Sequence, residues 1–342
     1  MIRHAHISSA RIRMQLKYDL IGKDSYRGVT LSYAFLANQF GHFALGFVPA
    51  YVLFYFWPME KFPVDDPALS AALVISVFWF LFECYNFLKP LLGDKGKYVF
   101  QPDWWNVGKD TFVDIWFFVC GAFMLAATAS VKTNLWFFPV ALLLVLLYFA
   151  RGWYITKICQ QTAEYPFQFR LSQWQFRVAP ANQQAVLAIQ LAKPQGMHVL
   201  MIGPRGCGKT SLAVAMANER SIDGQKCMYT TASKLLTQMH DADAAILQSN
   251  PYALATWRSA DWLVIDDLHP GEPVLGDFIT PAIMQQHLQS RQENISALIS
   301  RNTIWVLGSD APGMHMQLSI WLQWLQQIGV HTENIQVLDL SL

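Results

Sequence analysis

Two hydrophobic patterns divide the chain near residue 155. Before it lie four long apolar runs, Leu31–Trp57, Ala68–Leu88, Val107–Val131 and Leu135–Tyr154, separated by short polar segments. About 20 helical residues cross a hydrocarbon core of about 30 Å, so each run predicts a membrane-spanning helix. Beyond residue 155 the apolar runs shorten and stop at turn residues: His198–Ile202, Lys226–Thr230, Trp262–Asp266, Thr303–Gly308 and Asn334–Asp339. Short runs bounded in this way predict buried strands. Between and around them, Ala181–Ala192, Ser211–Glu219 and Leu318–Ile328 predict helices. Strands alternating with helices predict a parallel α/β sandwich with right-handed crossovers. The expected architecture is therefore multi-domain: a four-span helical bundle followed by an α/β domain. The expected boundaries are a cytoplasmic segment 1–28, a transmembrane domain 29–155, a juxtamembrane linker 156–192 and a nucleotide domain 193–342.

Charge gives the bundle an orientation. Basic residues gather before the first span (Arg3, Arg11, Arg13, Lys17, Lys23, Arg27), between the second and third (Lys89, Lys95, Lys97, Lys109) and after the fourth (Arg151, Lys157, Arg170, Arg177). The other two loops hold only Lys61 and Lys132. The positive-inside rule then puts both termini and the α/β domain in the cytoplasm of an inner (plasma) membrane protein. Trp57, Trp104, Trp105, Trp136 and Trp153 fall near span ends, where an interfacial belt belongs. The first run lacks the cleavage pattern of a signal peptide. The chain is 53% apolar and 14% charged with a net charge of +1, so no global field favours nucleic acid. Five cysteines stand at unpaired spacings, as expected of reduced thiols.

The strongest chemical signal follows the first short strand. Gly203-Pro-Arg-Gly-Cys-Gly-Lys-Thr210 has the spacing G-x-x-x-x-G-K-T of a phosphate-binding loop between strand and helix. Backbone N–H groups from Gly203 through Ser211 (Pro204, which has none, excepted) and the helix N-terminus would cradle phosphate oxygens. The set comprises Gly203, Pro204, Arg205, Gly206, Cys207, Gly208, Lys209, Thr210 and Ser211. Lys209 would reach the outer phosphates and Thr210 would hold Mg²⁺. Trp262-Leu-Val-Ile-Asp266-Asp267 is an apolar strand ending in two carboxylates. Asp266 would support the metal and Asp267 would polarise the attacking water. The expected ligands are ATP and Mg²⁺, and the expected activity is ATP hydrolysis.

The loop together with the Val264-Ile-Asp-Asp267 strand resembles the AAA+ group of P-loop ATPases, above all helicase-loader and transposase-helper ATPases. The resemblance covers Leu200 to about Asp310, a third of the chain. It implies assembly into rings or filaments, hence a homo-oligomer. It also implies that Ser309, beside Asp310 after the fourth strand, senses the γ-phosphate. Arg291 and Arg301 are the candidates for an arginine finger. The chain stops at Leu342 soon after its last strand, so the helical lid of that group and its sensor arginine are expected to be missing, which suits a nucleotide switch as well as a motor. No basic stripe with interleaved aromatics supports a nucleic-acid partner.

The spans also carry ionisable groups: His42, Glu83, Asp110 and Asp114. Asp103, Asn106, Asp110 and Asp114 follow helical spacing on one stripe, and Pro102 is placed to open that helix. Counting residues along the spans brings Glu83, Asp110, Asp114, Asn38 and His42 to similar depth. Such a group is a functional candidate by default, for a cation, a proton or a metal, with packing glue as the alternative. The pattern is faintly similar to small VanZ-like membrane proteins, a likeness that carries no function. Gly41, Ala44 and Gly46 predict close helix approach. The alternating stretch Phe167–Phe176 predicts a strand or an amphipathic segment on the membrane surface. The expected function is a membrane-anchored, oligomeric Mg-ATPase or switch acting on an unidentified membrane or cytoplasmic protein, with lipid as its surroundings. The alternatives are an ATP-gated ion, proton or metal site in the spans, or a structural subunit of a membrane complex.

Overall fold

The computed structural model describes residues 7–21, 29–56, 65–93, 98–130, 134–192, 194–250, 252–268, 279–307 and 314–341. The chain divides into two compact units: Ile7–Lys97 with Gln101–Ile158, and Tyr98–Phe100 with Cys159–Leu342.

The first unit is helical: α1 Ser9–Ile21, α2 Leu31–Phe56, α3 Pro67–Gly93, α4 Trp104–Ala129 and most of α5 Phe137–Thr162. The last four are long and apolar enough to cross a membrane, and α4 is the most buried of them. Pro102 does not open α4. Asp103 caps it instead, its carboxylate accepting from the N–H groups of Trp105 (3.1 Å) and Asn106 (3.2 Å). This satisfies two N–H groups that a helix start leaves without partners.

Small residues set the contact between α2 and α4. A Cβ added to Gly46 would lie 2.0 Å from the Phe118 carbonyl oxygen, and one added to Gly121 would lie 2.0 Å from that of Phe43. The two glycines thus seat each other's helix backbone. Gly41, expected to do the same, has nothing within 4 Å of its Cβ position.

Asp19 makes a contact that no local pattern announced. It is 2% exposed. One carboxylate oxygen accepts from Gln15 Nε2 (3.0 Å) and Thr30 Oγ1 (2.8 Å), the other from Ser32 Oγ (2.6 Å) and Tyr154 OH (2.7 Å). These donors satisfy the buried carboxylate.

The second unit holds α6 Pro180–Leu191, β1 His198–Ile202, α7 Lys209–Ile222, β2 Cys227–Thr231, α8 Ala232–Gln238, α9 Asp243–Ser249, β3 Trp262–Asp266, α10 Pro281–Leu288, α11 Glu293–Ser300, β4 Asn302–Val306, α12 Met314–Gln327 and β5 Ile335–Asp339. The strands form one sheet in the order β2-β3-β4-β1-β5, and every pairing is parallel. Both faces are covered, which is why β1, β3 and β4 are buried throughout and show no polar alternation. Val199, Met201, Val264 and Ile304 pack with α6 and α7, while Leu200, Ile202, Leu263, Ile265 and Trp305 pack with α8 to α12. The result is a three-layer α/β sandwich. Trp321 and Trp324 of α12 belong to its core.

His198 on β1 is fully buried, and its Nδ1 accepts from Trp305 Nε1 at 3.1 Å. Burial pushes its pKa down to about 4, against a weaker upward pull from a backbone hydrogen bond at Ile299. The unfolded chain therefore binds a proton that the folded one refuses. The stabilisation is complete above about pH 6.5 and falls away toward pH 4, by about 3 kcal/mol in all. His198→Gln keeps an acceptor for Trp305 and should flatten this acid limb, as measured by denaturant unfolding of the full chain between pH 7 and 4.

Candidate functional site

All five strands run the same way, so β1, β3 and β4 end at one edge of the sheet. In parallel α/β sheets this edge is where ligands bind. The phosphate loop leaves the end of β1, and Asp266 and Asp267 stand at the end of β3. The continuation of β4 to Ser309 and Asp310 lies outside the described residues, so the expected sensor has no structural account.

Loop conformation depends on glycine. Gly203, Gly206 and Gly208 have φ of +148°, +80° and +92°, a region that side chains with a Cβ rarely adopt. Space matters as well at Gly208, where a Cβ would sit 2.6 Å from the Trp174 ring and 3.4 Å from that of Phe176. The loop is open to solvent at Pro204, Arg205 and Gly206, while Cys207, Gly208, Lys209, Thr210 and Ser211 are half-buried. Helix α7 begins at Lys209, its first bond running from Leu212 N to the Gly208 carbonyl at 2.9 Å. The Lys209 ammonium donates to the carbonyls of Gly203 (2.6 Å) and Pro204 (2.9 Å). All five cysteines are free, Cys207 among them.

Asp266 is 4% exposed. Its Oδ1 accepts from the Asp267 N–H (2.8 Å) and its Oδ2 from Tyr229 OH (2.8 Å). Both partners are neutral donors. Asp267 is exposed and adopts a left-handed backbone, φ +55°. Partial desolvation at the strand tip first, and then the neighbouring Asp266 charge, raise its pKa above the ordinary carboxylate value. A raised carboxylate pKa strengthens a base. The glycine cradle, the lysine and the two acids at one sheet edge thus fit a nucleotide with Mg²⁺. Thr210 and Asp266 are the residues that would hold the ion.

The segment before the sheet departs from expectation. Phe167–Phe176 forms no strand. It is irregular with one 3₁₀ turn, Leu171–Gln173, and packs on the nucleotide domain. Arg170 pairs with Glu219 of α7 through Nε–Oε1 (3.0 Å) and Nη2–Oε2 (2.8 Å). Leu171 and Trp174 enter the core, where burial against α7 satisfies their apolar surface. Trp174 and Tyr229 are therefore site neighbours that the motifs did not announce. Their signal was only an aromatic residue far away in sequence. Of the finger candidates, Arg291 pairs with Glu293 (2.6 Å) and Arg301 donates to the Ala260 carbonyl (3.3 Å).

Within the helical unit, His42 Nδ1 lies 2.9 Å from Asp114 Oδ1. Gln39 Nε2 donates to that oxygen at 3.2 Å. Glu83 and Asp110 are near enough to act on His42 through their charges. Of the four predicted groups, His42 and Asp114 are in direct contact. The amide is Gln39 rather than Asn38, because one residue turns a helix by about 100°. Among the described residues, no group of three His, Cys, Asp or Glu side chains is arranged to hold a metal ion.

Comparison with known proteins bears on the C-terminal part of the chain. Residues 153–301 match the family described as IstB-like ATP binding protein. Two solved structures are similar: DnaI, at 16% identity over 50% of this chain and 90% of that one with a TM-score of 0.32, and the DnaC helicase loader, at 16% identity over 48% and 93% with a TM-score of 0.31. Overlaps of this quality carry no argument of their own. The C-terminal part of the chain is similar to IstB-like ATP-binding proteins, and that similarity supports ATP binding.

Proposed function

We propose that this protein is a membrane-anchored Mg-ATP-binding protein that hydrolyses ATP and works as a homo-oligomer, a machine or nucleotide switch acting on a membrane partner. The observation that carries the nucleotide part is the shared sheet edge, at which the Gly203–Thr210 loop follows β1 and Asp266 and Asp267 end β3. The anchoring rests on four long apolar helices whose outer faces remain apolar, with Phe40, Phe78, Leu144 and Tyr148 exposed. The basic-residue pattern supports a cytoplasmic site.

Backbone N–H groups of the loop bind phosphate oxygens, and Lys209 draws charge from the outer phosphates. Mg²⁺, when bound, neutralises developing charge on the phosphoryl group. Asp266 holds its place at the strand tip. Asp267, exposed beside it, orients water and takes its proton. An arginine from a neighbouring copy would complete the site, with Arg291 and Arg301 as candidates.

Detergent-purified protein should bind ATP in the presence of Mg²⁺, hydrolyse it, and change its association state with nucleotide. Lys209→Ala should weaken ATP binding by at least about tenfold, equivalent to about 1.4 kcal/mol. Unchanged affinity in that variant, read by titration with a fluorescent ATP analogue, would refute the loop assignment.

The His42–Asp114 pair with Glu83 and Asp110 favours a second reading, a proton or cation site in the spans that nucleotide controls. Asp114→Asn should then abolish function in the membrane while ATP hydrolysis persists. Wild-type behaviour of that variant makes the cluster packing glue.

A further inference from the structure

Tyr229 lies outside every motif, yet its hydroxyl occupies one oxygen of the buried Asp266 carboxylate. Strand register explains how. Tyr229 pairs with Val264 in the parallel β2–β3 ladder. Side chains two apart on a strand share a face, so Val264 and Asp266 share one face and Tyr229 reaches Asp266 on the diagonal. That face is the one covered by α7, the helix that the phosphate loop opens. Two further contacts fix the tyrosine. Its N–H donates to the Ala163 carbonyl at 2.7 Å, and its ring packs beside the core under α7. The phenol hydroxyl donates to the Asp266 carboxylate at 2.8 Å.

We propose that Tyr229 is a positioning residue for the metal-supporting carboxylate: it holds Asp266 in one rotamer at the strand tip and thereby sets the affinity of the site for Mg²⁺ in the presence of ATP. This rests on the reading of Asp266 as the Mg-supporting acid. With Asp267 N–H on Oδ1 and Tyr229 OH on Oδ2, each oxygen keeps a lone pair for the ion or a water bound to it. The Tyr229 hydroxyl never touches nucleotide in this account. It acts through the carboxylate, as outer hydrogen-bond partners of metal ligands do, and their loss typically weakens metal affinity or activity by about 10–100-fold.

The test is Tyr229→Phe in the full chain, which removes one oxygen and keeps the ring. The Mg²⁺ concentration for half-maximal binding of a fluorescent ATP analogue should rise about tenfold, with analogue affinity in EDTA unchanged. A purely structural role for Tyr229 predicts a lower melting temperature with no shift in the Mg²⁺ midpoint. A midpoint within about twofold of wild type, measured on folded protein, overturns the proposal. Lys209→Ala in the same assay separates the two levels of the argument. If wild type binds the analogue no better than Lys209→Ala, the nucleotide site itself fails and the positioning role falls with it.

Discussion

Asp267→Asn is expected to slow ATP hydrolysis by about 10²–10⁴-fold, the range contributed by a positioned general base, with Mg-ATP binding close to wild type. The carboxylate stands exposed at the tip of β3, one residue beyond the buried Asp266. Its raised pKa, caused by partial desolvation and then by Asp266, makes it a stronger base. Asparagine is the informative replacement because it tolerates the left-handed φ of +55° at this position. Alanine would add backbone strain of about 1–2 kcal/mol and confuse the result. Steady-state hydrolysis beside analogue binding reads both quantities. Turnover near wild type would remove Asp267 from the chemistry.

Gly121→Val is expected to prevent the helical unit from packing, with Gly46→Val close behind. Even a single Cβ at either position would stand 2.0 Å from a backbone carbonyl oxygen of the facing helix. A side-chain clash can be relieved by a rotamer change, but a backbone clash requires the helices to part. Overpacking usually costs about 1–3 kcal/mol, and here the upper end or beyond is expected because both backbones must move. Parting α2 and α4 would also strain the bond from Trp79 Nε1 to the Leu45 carbonyl (2.9 Å) and the stacking of Trp79 on Phe118 (4.3 Å between centroids). Gly41→Ala is the control, since open space surrounds that position, and its effect should stay within about 0.5 kcal/mol. Unfolding of purified protein in detergent measures all three. Equal stability of Gly121→Val and Gly41→Ala would contradict the close crossing.

These two sites differ in how far the sequence disclosed them. The phosphate loop and the Val264–Asp267 strand were legible because their chemistry is local: glycines at fixed spacing and acids at the end of an apolar run. The five strands were legible for the same reason, with ends moved by a residue or two. Gly46 could be read as a close-approach residue, but its partner Gly121 could not, because pairing across helices leaves no periodic trace. Tyr229 and Trp174 were hidden likewise; each meets the site from a distant stretch. Helix α5 continues eight residues past the predicted span, to Thr162 rather than Tyr154. Hydropathy marks where apolar composition stops, whereas a helix continues until something breaks it, and Lys157, Gln160 and Gln161 are good helix formers. The strand alternative for Phe167–Phe176 failed because aromatic alternation suits an irregular packed segment as well as a strand.

The Asp19 knot has a consequence for the order of events during synthesis. Its closing donor, the Tyr154 hydroxyl, lies 135 residues downstream. At about 5–20 residues per second, a ribosome needs roughly ten seconds to add that length. Throughout that interval Gln15, Thr30 and Ser32 can bind the carboxylate of α1, but the Tyr154 hydroxyl is missing. The knot therefore closes only when the last apolar helix has emerged. A nascent chain halted between α4 and α5 should leave α1 open to protease, and release of α5 should protect it.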